Sequence, residues 1–193
     1  MNPKEIIKSI NQTYSKLNVP QNLRLHMYRT TAITEQIIDN WTGPKLNKDE
    51  LLATMLIHDL GKIVKMEIDT EECISYLLPK DKINLESYKK TKQLFISKYG
   101  SDDKIANYKI AEELGANNRI LFLINHGFKD NEETLLSKDI ELKIRAYADQ
   151  RTDTNGVLLI SERLKKAKEL YSLKKDPQFA INPKFDLWVI CAK

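Results

Sequence analysis

The residues with the clearest capacity for chemistry are a histidine and an aspartate that are adjacent in the chain, His58 and Asp59. The chain has only 3 histidines, and this one follows the largely apolar stretch 51–57. An isolated charge in apolar surroundings is costly, so the carboxylate of Asp59 requires a partner. Imidazole and carboxylate are both ligands of divalent metals. Adjacent helical residues point about 100° apart and can share one cation, so the remaining ligands must come from other helices.

Two further residues complete a known pattern: His26, in LRLHMYRT, and Asp149, in RAYADQRTD. A histidine, a His-Asp pair and a distant aspartate, all on helices, resemble the signature of the HD superfamily of metal-dependent phosphohydrolases. The sequences HDLGK and YADQRTDTNGVLLISERL add to this resemblance, which covers about residues 22–165. It implies that His26, His58, Asp59 and Asp149 bind one divalent metal ion, with Mn, Mg, Co, Ni, Fe and Zn as the candidates.

The resemblance also implies an enzyme that hydrolyses a phosphomonoester or phosphoanhydride of a small phosphorylated substrate, with a nucleotide as the expected class. Water activated by the metal attacks phosphorus, and Asp59 and Lys62 are the expected catalytic residues. One branch of the family dephosphorylates deoxynucleoside monophosphates and carries a glutamate shortly after its His-Asp pair. This chain has Lys62 there, which counts against that activity.

Several cationic side chains lie close enough in sequence to the expected ligands to meet a substrate phosphate. Those one helical turn away are Arg29, Lys62 and Arg145. Arg151, two residues after Asp149, faces the site only if its helix ends or bends there. The alternative for each cation is a surface or structural ion pair, because long cationic side chains commonly extend into solvent.

The third histidine, His126, lies in the sequence INHGF between Asp59 and Asp149. Some branches of the family place ligands for a second metal in this interval, but a single added histidine does not complete such a set. We therefore expect His126 to line the substrate cleft. The alternative is a structural histidine at a helix C-terminus beside Gly127, where the helix dipole favours the charged imidazole.

The spacing of apolar residues is helical throughout and predicts an all-α domain of about eight helices. The helix that leads to Gly61 carries apolar residues on more than one face, so it is the predicted central buried helix, carrying His58 and Asp59. A further stretch, 70–78, is also helical in pattern. The predicted helices are 4–17, 22–41, Asn47 towards Gly61, 82–99, 103–114, 119–126, 132–153 and 157–173.

A chain of 193 residues is long enough for one substantial core, so we expect a single domain. Its core is about residues 22–165, and residues 166–193 are predicted to pack on that core as a C-terminal extension. Cys73 and Cys191 form neither a zinc-ribbon spacing nor a disulfide framework. The sequence does not determine the oligomeric state, and a homodimer is compatible with it.

The net charge of +4 is a mild basic bias that does not identify a partner. Lysines are spread among acids and amides without alternating aromatic residues, so nucleic-acid binding is not favoured. No stretch has the apolar length of a membrane span or signal peptide, so we expect a cytoplasmic protein without membrane partners.

Two other functions are compatible with an HD-type fold. The first is a regulatory module that binds a metal or nucleotide without turnover, although retention of the four ligands argues against it. The second is an oxygenase that uses two irons, for which three histidines do not supply a second ligand set.

Overall fold

The computed structural model describes residues 2–68, 74, 77–127, 132–153, 156–163 and 165–166. The predicted all-α fold is confirmed for these residues, whose single β feature is an isolated bridge between Thr152 and Val157. Residues 160–163 and 165–166 are also helical. The other helices are α1 (Pro3–Lys16), α2 (Gln21–Asp39), α3 (Lys48–Ile57), a 3-10 segment (Leu60–Lys65), α4 (Pro79–Ile83), α5 (Leu85–Tyr99), α6 (Asp103–Glu113), α7 (Asn118–His126), α8 (Glu132–Leu136) and α9 (Ile140–Gln150).

Helix α3 is the central helix, as the sequence predicts. It packs against α1, α2, α7 and α9, and six of its ten residues are buried, because its apolar side chains occupy more than one face. The prediction is wrong about its end: α3 stops at Ile57, and His58 and Asp59 form a turn before the 3-10 segment. The ligand pair therefore follows the central helix.

The turn after Asp59 is fixed by close packing of Gly61 on the start of α6. A Cβ atom at Gly61 would lie 2.1 Å from the carbonyl oxygen of Asp103 and 2.5 Å from the backbone nitrogen of Asn107. The buried Asn107 side chain accepts a hydrogen bond of 2.8 Å from the Gly61 N–H. The 3-10 segment thus packs closely against the start of α6 at Gly61.

The start of α2 is stabilised by a residue from another helix. Pro20 occupies the N-cap position and supplies no side-chain cap. The carboxylate of Asp81 in α4, which is 0% exposed, accepts hydrogen bonds from the N–H groups of Gln21 at 2.8 Å and Asn22 at 3.0 Å. A carboxylate at a helix N-terminus satisfies free donors and complements the helix dipole.

The start of α3 is stabilised in a similar way. Asn47, the predicted N-cap, occupies that position, but its side chain makes no capping hydrogen bond. Its N–H donates instead to the buried carboxylate of Glu141 in α9, at 2.7 Å. Arg119 of α7 binds Glu141 at 2.5 Å and Asp139 at 2.7 Å. The N-terminal ends of α3, α7 and α9 are therefore tied together.

Other predicted helix boundaries differ from those of the structure. The predicted helix 132–153 is divided into α8 and α9, because the Asp139 side chain caps α9 through the N–H of Glu141. The predicted helix 82–99 is interrupted at Asn84, which separates the short α4 from α5. Helix α2 ends at Asp39 rather than Trp41. Gly115, with φ of 71°, follows α6 as predicted.

Some sequence predictions lie largely or wholly outside the described residues. They concern the stretch 70–78, both cysteines and the packing of the extension 166–193. Residues 157–159 are not helical and residues 160–163 are, so the predicted helix 157–173 starts at residue 160 instead of 157. None of the described helices has the length and apolar character needed to cross a membrane.

Candidate metal centre

The four predicted metal ligands come from three parts of the fold and meet at one place. His26 lies in the second turn of α2, His58 and Asp59 in the turn after α3, and Asp149 in the last turn of α9. Each offers one ligand atom, and these atoms all lie within 4.8 Å of one another. Among the described residues this is the one such group of metal-ligating side chains.

The distances between the imidazole nitrogens and the carboxylate oxygens are close to those between ligand atoms that bind one cation. The Nε2 atom of His26 lies 3.2 Å from both Asp59 Oδ2 and Asp149 Oδ1. The Nε2 atom of His58 lies 3.6 and 3.7 Å from the same two oxygens. Neighbouring ligands that are each about 2.1 Å from a metal are roughly 3.0–3.4 Å apart, so the observed spacing is close to that of a coordination shell.

The centre is buried and one of its carboxylates is held ionised. The exposed fractions are 4% for His58, 8% for Asp59 and 5% for Asp149. Burial alone would raise the pKa of Asp59, but opposing effects, of which the Lys62 ammonium is the largest, hold that pKa well below its usual range. An ionised, buried carboxylate is a strong acceptor for a cation.

The His58 ring is oriented by the backbone of α3. Its Nδ1 lies 2.8 Å from the carbonyl oxygen of Met55. A carbonyl can only accept a hydrogen bond, so the neutral ring carries its proton on Nδ1. Its Nε2 atom then carries a lone pair that faces Asp59 and Asp149. This tautomer, with the proton on Nδ1, is the one that can bind a metal through Nε2.

The His26 ring has a comparable partner on its other side. Its Nδ1 lies 3.1 Å from the Thr152 hydroxyl. Burial lowers the pKa of His26, but the carboxylates of Asp149 and Asp59 more than offset this, and the pKa is raised above its ordinary value. A positive charge close to Nε2 of His26 is therefore favoured, whether it is a proton or a metal ion.

The surroundings of the Nε2 atoms of His26 and His58 show whether a metal ion fits this group. Both are buried, and within the described part of the chain neither makes a hydrogen bond of suitable geometry. Imidazole lone pairs that face carboxylate oxygens repel them unless a positive charge lies between. One divalent cation would bind both nitrogens and both carboxylates, so His26, His58, Asp59 and Asp149 fit a metal site.

Lys62 lies at the edge of this centre. Its Nζ is 2.9 Å from Asp59 Oδ2, and its side chain is 44% exposed. The adjacent Asp59 carboxylate raises the pKa of Lys62, so the ammonium stays charged at neutral pH. Lys62 thus contacts both Asp59 and solvent, and its catalytic role stays a prediction.

The three arginines predicted to meet the substrate occupy different environments. Arg29 is partly buried on α2, and Arg145 is 2% exposed on α9. Arg151 is the C-cap of α9, so the helix does end there. Its guanidinium donates to the carbonyl of Leu158 and, at 2.9 Å, to the hydroxyl of Tyr147. Contact with substrate stays a prediction for all three.

His126 is exposed at the end of α7 and is not part of the ligand group. Its ring stacks on Phe122 with centroids 4.4 Å apart, and its Nδ1 lies 3.0 Å from the Phe122 carbonyl oxygen. These contacts agree with the structural alternative for this residue. Its place in a substrate cleft stays a prediction.

Sequence analysis missed two residues that contact the predicted ligands or the turn that carries them. Thr152 contacts His26, and Asn107 holds Gly61 next to the His-Asp turn. Thr152 had a weak signal, since it is a short hydroxyl residue one turn after Asp149. Asn107 had none, because it acts across a contact between distant parts of the chain.

Comparisons of the chain with protein-family models, with curated proteins and with solved structures find no match. The evidence for a metal centre is therefore its own geometry.

Proposed function

We propose that this protein is a metal-dependent phosphohydrolase whose divalent cation is held by His26, His58, Asp59 and Asp149. The observation that carries the proposal is the convergence of two buried Nε2 atoms on two carboxylate oxygens at 3.2–3.7 Å. The reaction class is inferred from the order of these residues in the sequence, which resembles the signature of the HD superfamily.

The donor set suits this chemistry. Two imidazoles and two carboxylates are ligands that manganese, iron, cobalt, nickel and zinc accept, and magnesium is compatible through the carboxylates. These side chains supply four donor atoms, which leaves positions for water and substrate if the cation takes six ligands. A cation bound there supplies a Lewis acid that lowers the pKa of water and polarises a phosphoryl oxygen.

Two residues of the chain act on the substrate in this proposal. Asp59 accepts a hydrogen bond from the attacking water and orients it toward phosphorus. The Lys62 ammonium neutralises charge that develops on the phosphoryl oxygens, since it is charged, partly exposed and 2.9 Å from Asp59. Arg29, Arg145 and Arg151 are further candidates for the phosphate.

The proposed substrate is a small phosphorylated molecule, and a nucleotide is the class that the resemblance favours. Hydrolysis of either a phosphomonoester or a phosphoanhydride is compatible with the arrangement of Asp59 and Lys62. The alternative is a module that binds a metal or nucleotide for regulation, and the experiment below separates the two.

The test is elemental analysis of the purified protein, followed by phosphate release from a panel of nucleotides with Mg, Mn, Co, Ni, Fe and Zn supplied in turn. Asp149→Ala and His26→Ala should lose both bound metal and phosphate release. Asp39→Asn is the matched control, because this exposed carboxylate pairs with Lys48 on the surface. Metal binding without hydrolysis would favour the regulatory module, and absence of stoichiometric metal binding would overturn the proposal.

A further inference from the structure

Thr152, the second residue after α9, connects two of the proposed ligands. It is 1% exposed. Its Oγ1 lies 3.0 Å from the carbonyl oxygen of Asp149 and 3.1 Å from Nδ1 of His26. One hydroxyl therefore contacts a ligand residue of α9 through its backbone and a ligand residue of α2 through its ring.

The direction of these two hydrogen bonds follows from the number of protons. A threonine hydroxyl has one proton, and a carbonyl oxygen can only accept, so the Thr152 hydroxyl donates to Asp149. The same Oγ1 must then accept from His26, which places the imidazole proton on Nδ1. The Nε2 atom of the neutral ring keeps its lone pair, and this atom faces Asp59 and Asp149.

Thr152 is itself held on several sides. Its N–H donates to the Asp149 carbonyl at 3.3 Å, and it forms the isolated β-bridge with Val157. Its carbonyl accepts a hydrogen bond of 3.0 Å from Nε of Arg163. The Leu158 N–H donates to the Arg151 carbonyl at 2.8 Å, which closes the same turn. The described residues of the stretch 151–163 thus form a clamp around Thr152.

We propose that Thr152 is a positioning residue that fixes the tautomer and orientation of His26 for metal binding, and that the clamp of residues 151–163 keeps it in place. This inference rests on the proposed metal site but not on hydrolysis. It gives a role to Thr152, Val157, Leu158 and Arg163, which the four predicted ligands alone do not explain. Partners of this kind typically change metal affinity by about 10- to 100-fold.

The test compares three variants in zinc binding, measured by competition with a chromophoric chelator. Thr152→Val keeps the shape and removes the hydroxyl, so its Zn²⁺ affinity should fall about 10- to 100-fold. Thr152→Ser restores the hydroxyl and should bind within a few-fold of the native protein. Thr54→Val is the matched control, because Thr54 is 0% exposed and its hydroxyl donates only to its own helix, at the Glu50 carbonyl.

A spectroscopic measurement tests the same inference without relying on a variant. In the zinc-loaded native protein labelled with ¹⁵N-histidine, His26 should carry a proton on Nδ1 and bind zinc through Nε2. Zinc binding through Nδ1 would overturn the inference, even if Thr152→Val failed to fold.

The affinity outcomes separate this inference from the proposed function. Native-like affinity in Thr152→Val, or equal loss in Thr152→Ser, overturns the role of Thr152 while leaving the metal site intact. A native protein that binds no divalent cation overturns the proposed function and this inference together. A native protein that binds zinc but hydrolyses no nucleotide overturns only the proposed reaction.

Discussion

The Lys62 ammonium and Oδ2 of Asp59 form a direct ion pair of 2.9 Å, in which the lysine side chain is 44% exposed and the aspartate side chain 10%. The same oxygen lies 3.2 Å from His26 and 3.6 Å from His58. A partly exposed lysine therefore contacts the group formed by side chains from α2, from the turn after α3 and from α9. This arrangement places one positive charge beside the site proposed for a metal.

Substitution of Lys62 should separate metal binding from turnover. Lys62→Gln removes a positive charge that competes with the metal at Asp59, so Mn²⁺ should bind at least as tightly as in the native protein. Phosphate release should fall by about 10²–10³-fold, the usual loss when one charge-stabilising donor is removed. Binding is measured by calorimetry and turnover by phosphate release at saturating Mn²⁺.

The matched control is Lys65→Gln, since Lys65 lies in the same 3-10 segment but pairs with Asp103 at 2.5 Å. It should behave as the native protein in both measurements. Weaker Mn²⁺ binding in Lys62→Gln alone would mean that this lysine assembles the centre instead of acting on substrate.

Substitution of Gly61 should damage the centre by packing. Gly61→Ala places a methyl group 2.1 Å from the carbonyl oxygen of Asp103, and backbone atoms cannot move aside cheaply. We expect the free energy of unfolding to fall by about 1–3 kcal/mol, the range for overpacked sites, together with weaker metal binding. Urea unfolding of the metal-free protein provides the measurement.

Gly156→Ala serves as the control for Gly61→Ala, because no atom of the described residues lies within 4 Å of the added Cβ at that position. Equal stability of the two variants would contradict the packing account of the turn after Asp59.

Substitution of Asp81 should destabilise the helix that carries His26. Asp81→Ala leaves the N–H groups of Gln21 and Asn22 without their acceptor, and loss of a cap typically costs about 0.5–2 kcal/mol. Thermal and urea unfolding measure this loss against Glu86→Ala, a change at an exposed carboxylate of α5. A loss no larger than that of Glu86→Ala would show that α2 does not depend on Asp81.

The pair Arg119–Asp139 should make stability depend on pH in the acid range. The hydrogen bond from Arg119 is the largest effect and lowers the pKa of Asp139 below 3.8 in the folded state. The unfolded chain then binds the proton more readily, so this contribution is complete above the ordinary pKa and is lost as the pH falls through the folded value. Unfolding free energies at a series of pH values below about 5 measure it.

Asp139→Asn is the informative variant for this pair, because asparagine is as good an N-cap as aspartate and α9 keeps its cap. Its stability should decline less steeply than that of the native protein as the pH falls. Parallel pH profiles for the two proteins would contradict the prediction.

The helical class and the His58-Asp59 pair as a candidate site could be predicted from local patterns in the sequence. Apolar spacing indicates the central helix α3 and its neighbours, and an unusual His-Asp pair after an apolar stretch indicates a buried polar site. The convergence of His26 and Asp149 on that pair came from the resemblance of the whole set, and the geometry of the ligand atoms agrees with it.

The residues that shape the centre could not be predicted, because each acts through a contact between remote parts of the chain. Asp81 caps α2 across 60 positions, and Glu141 caps α3 across 94. The early end of α3 depends on the fit of Gly61 against α6, which no periodicity encodes. Local patterns thus indicate the His58-Asp59 pair, and tertiary contacts determine how the surrounding helices are arranged.

The cap that Glu141 gives to the start of α3 has a consequence for the newly made protein. During synthesis, the helix that leads to His58 and Asp59 leaves the ribosome long before Glu141 and Asp149 do. Until α9 emerges, the nascent chain lacks Glu141, which accepts a hydrogen bond from the start of α3. It also lacks Asp149, one of the four side chains that could hold a metal ion. The group of four side chains that could hold a metal ion is therefore assembled only after α9 has been synthesised.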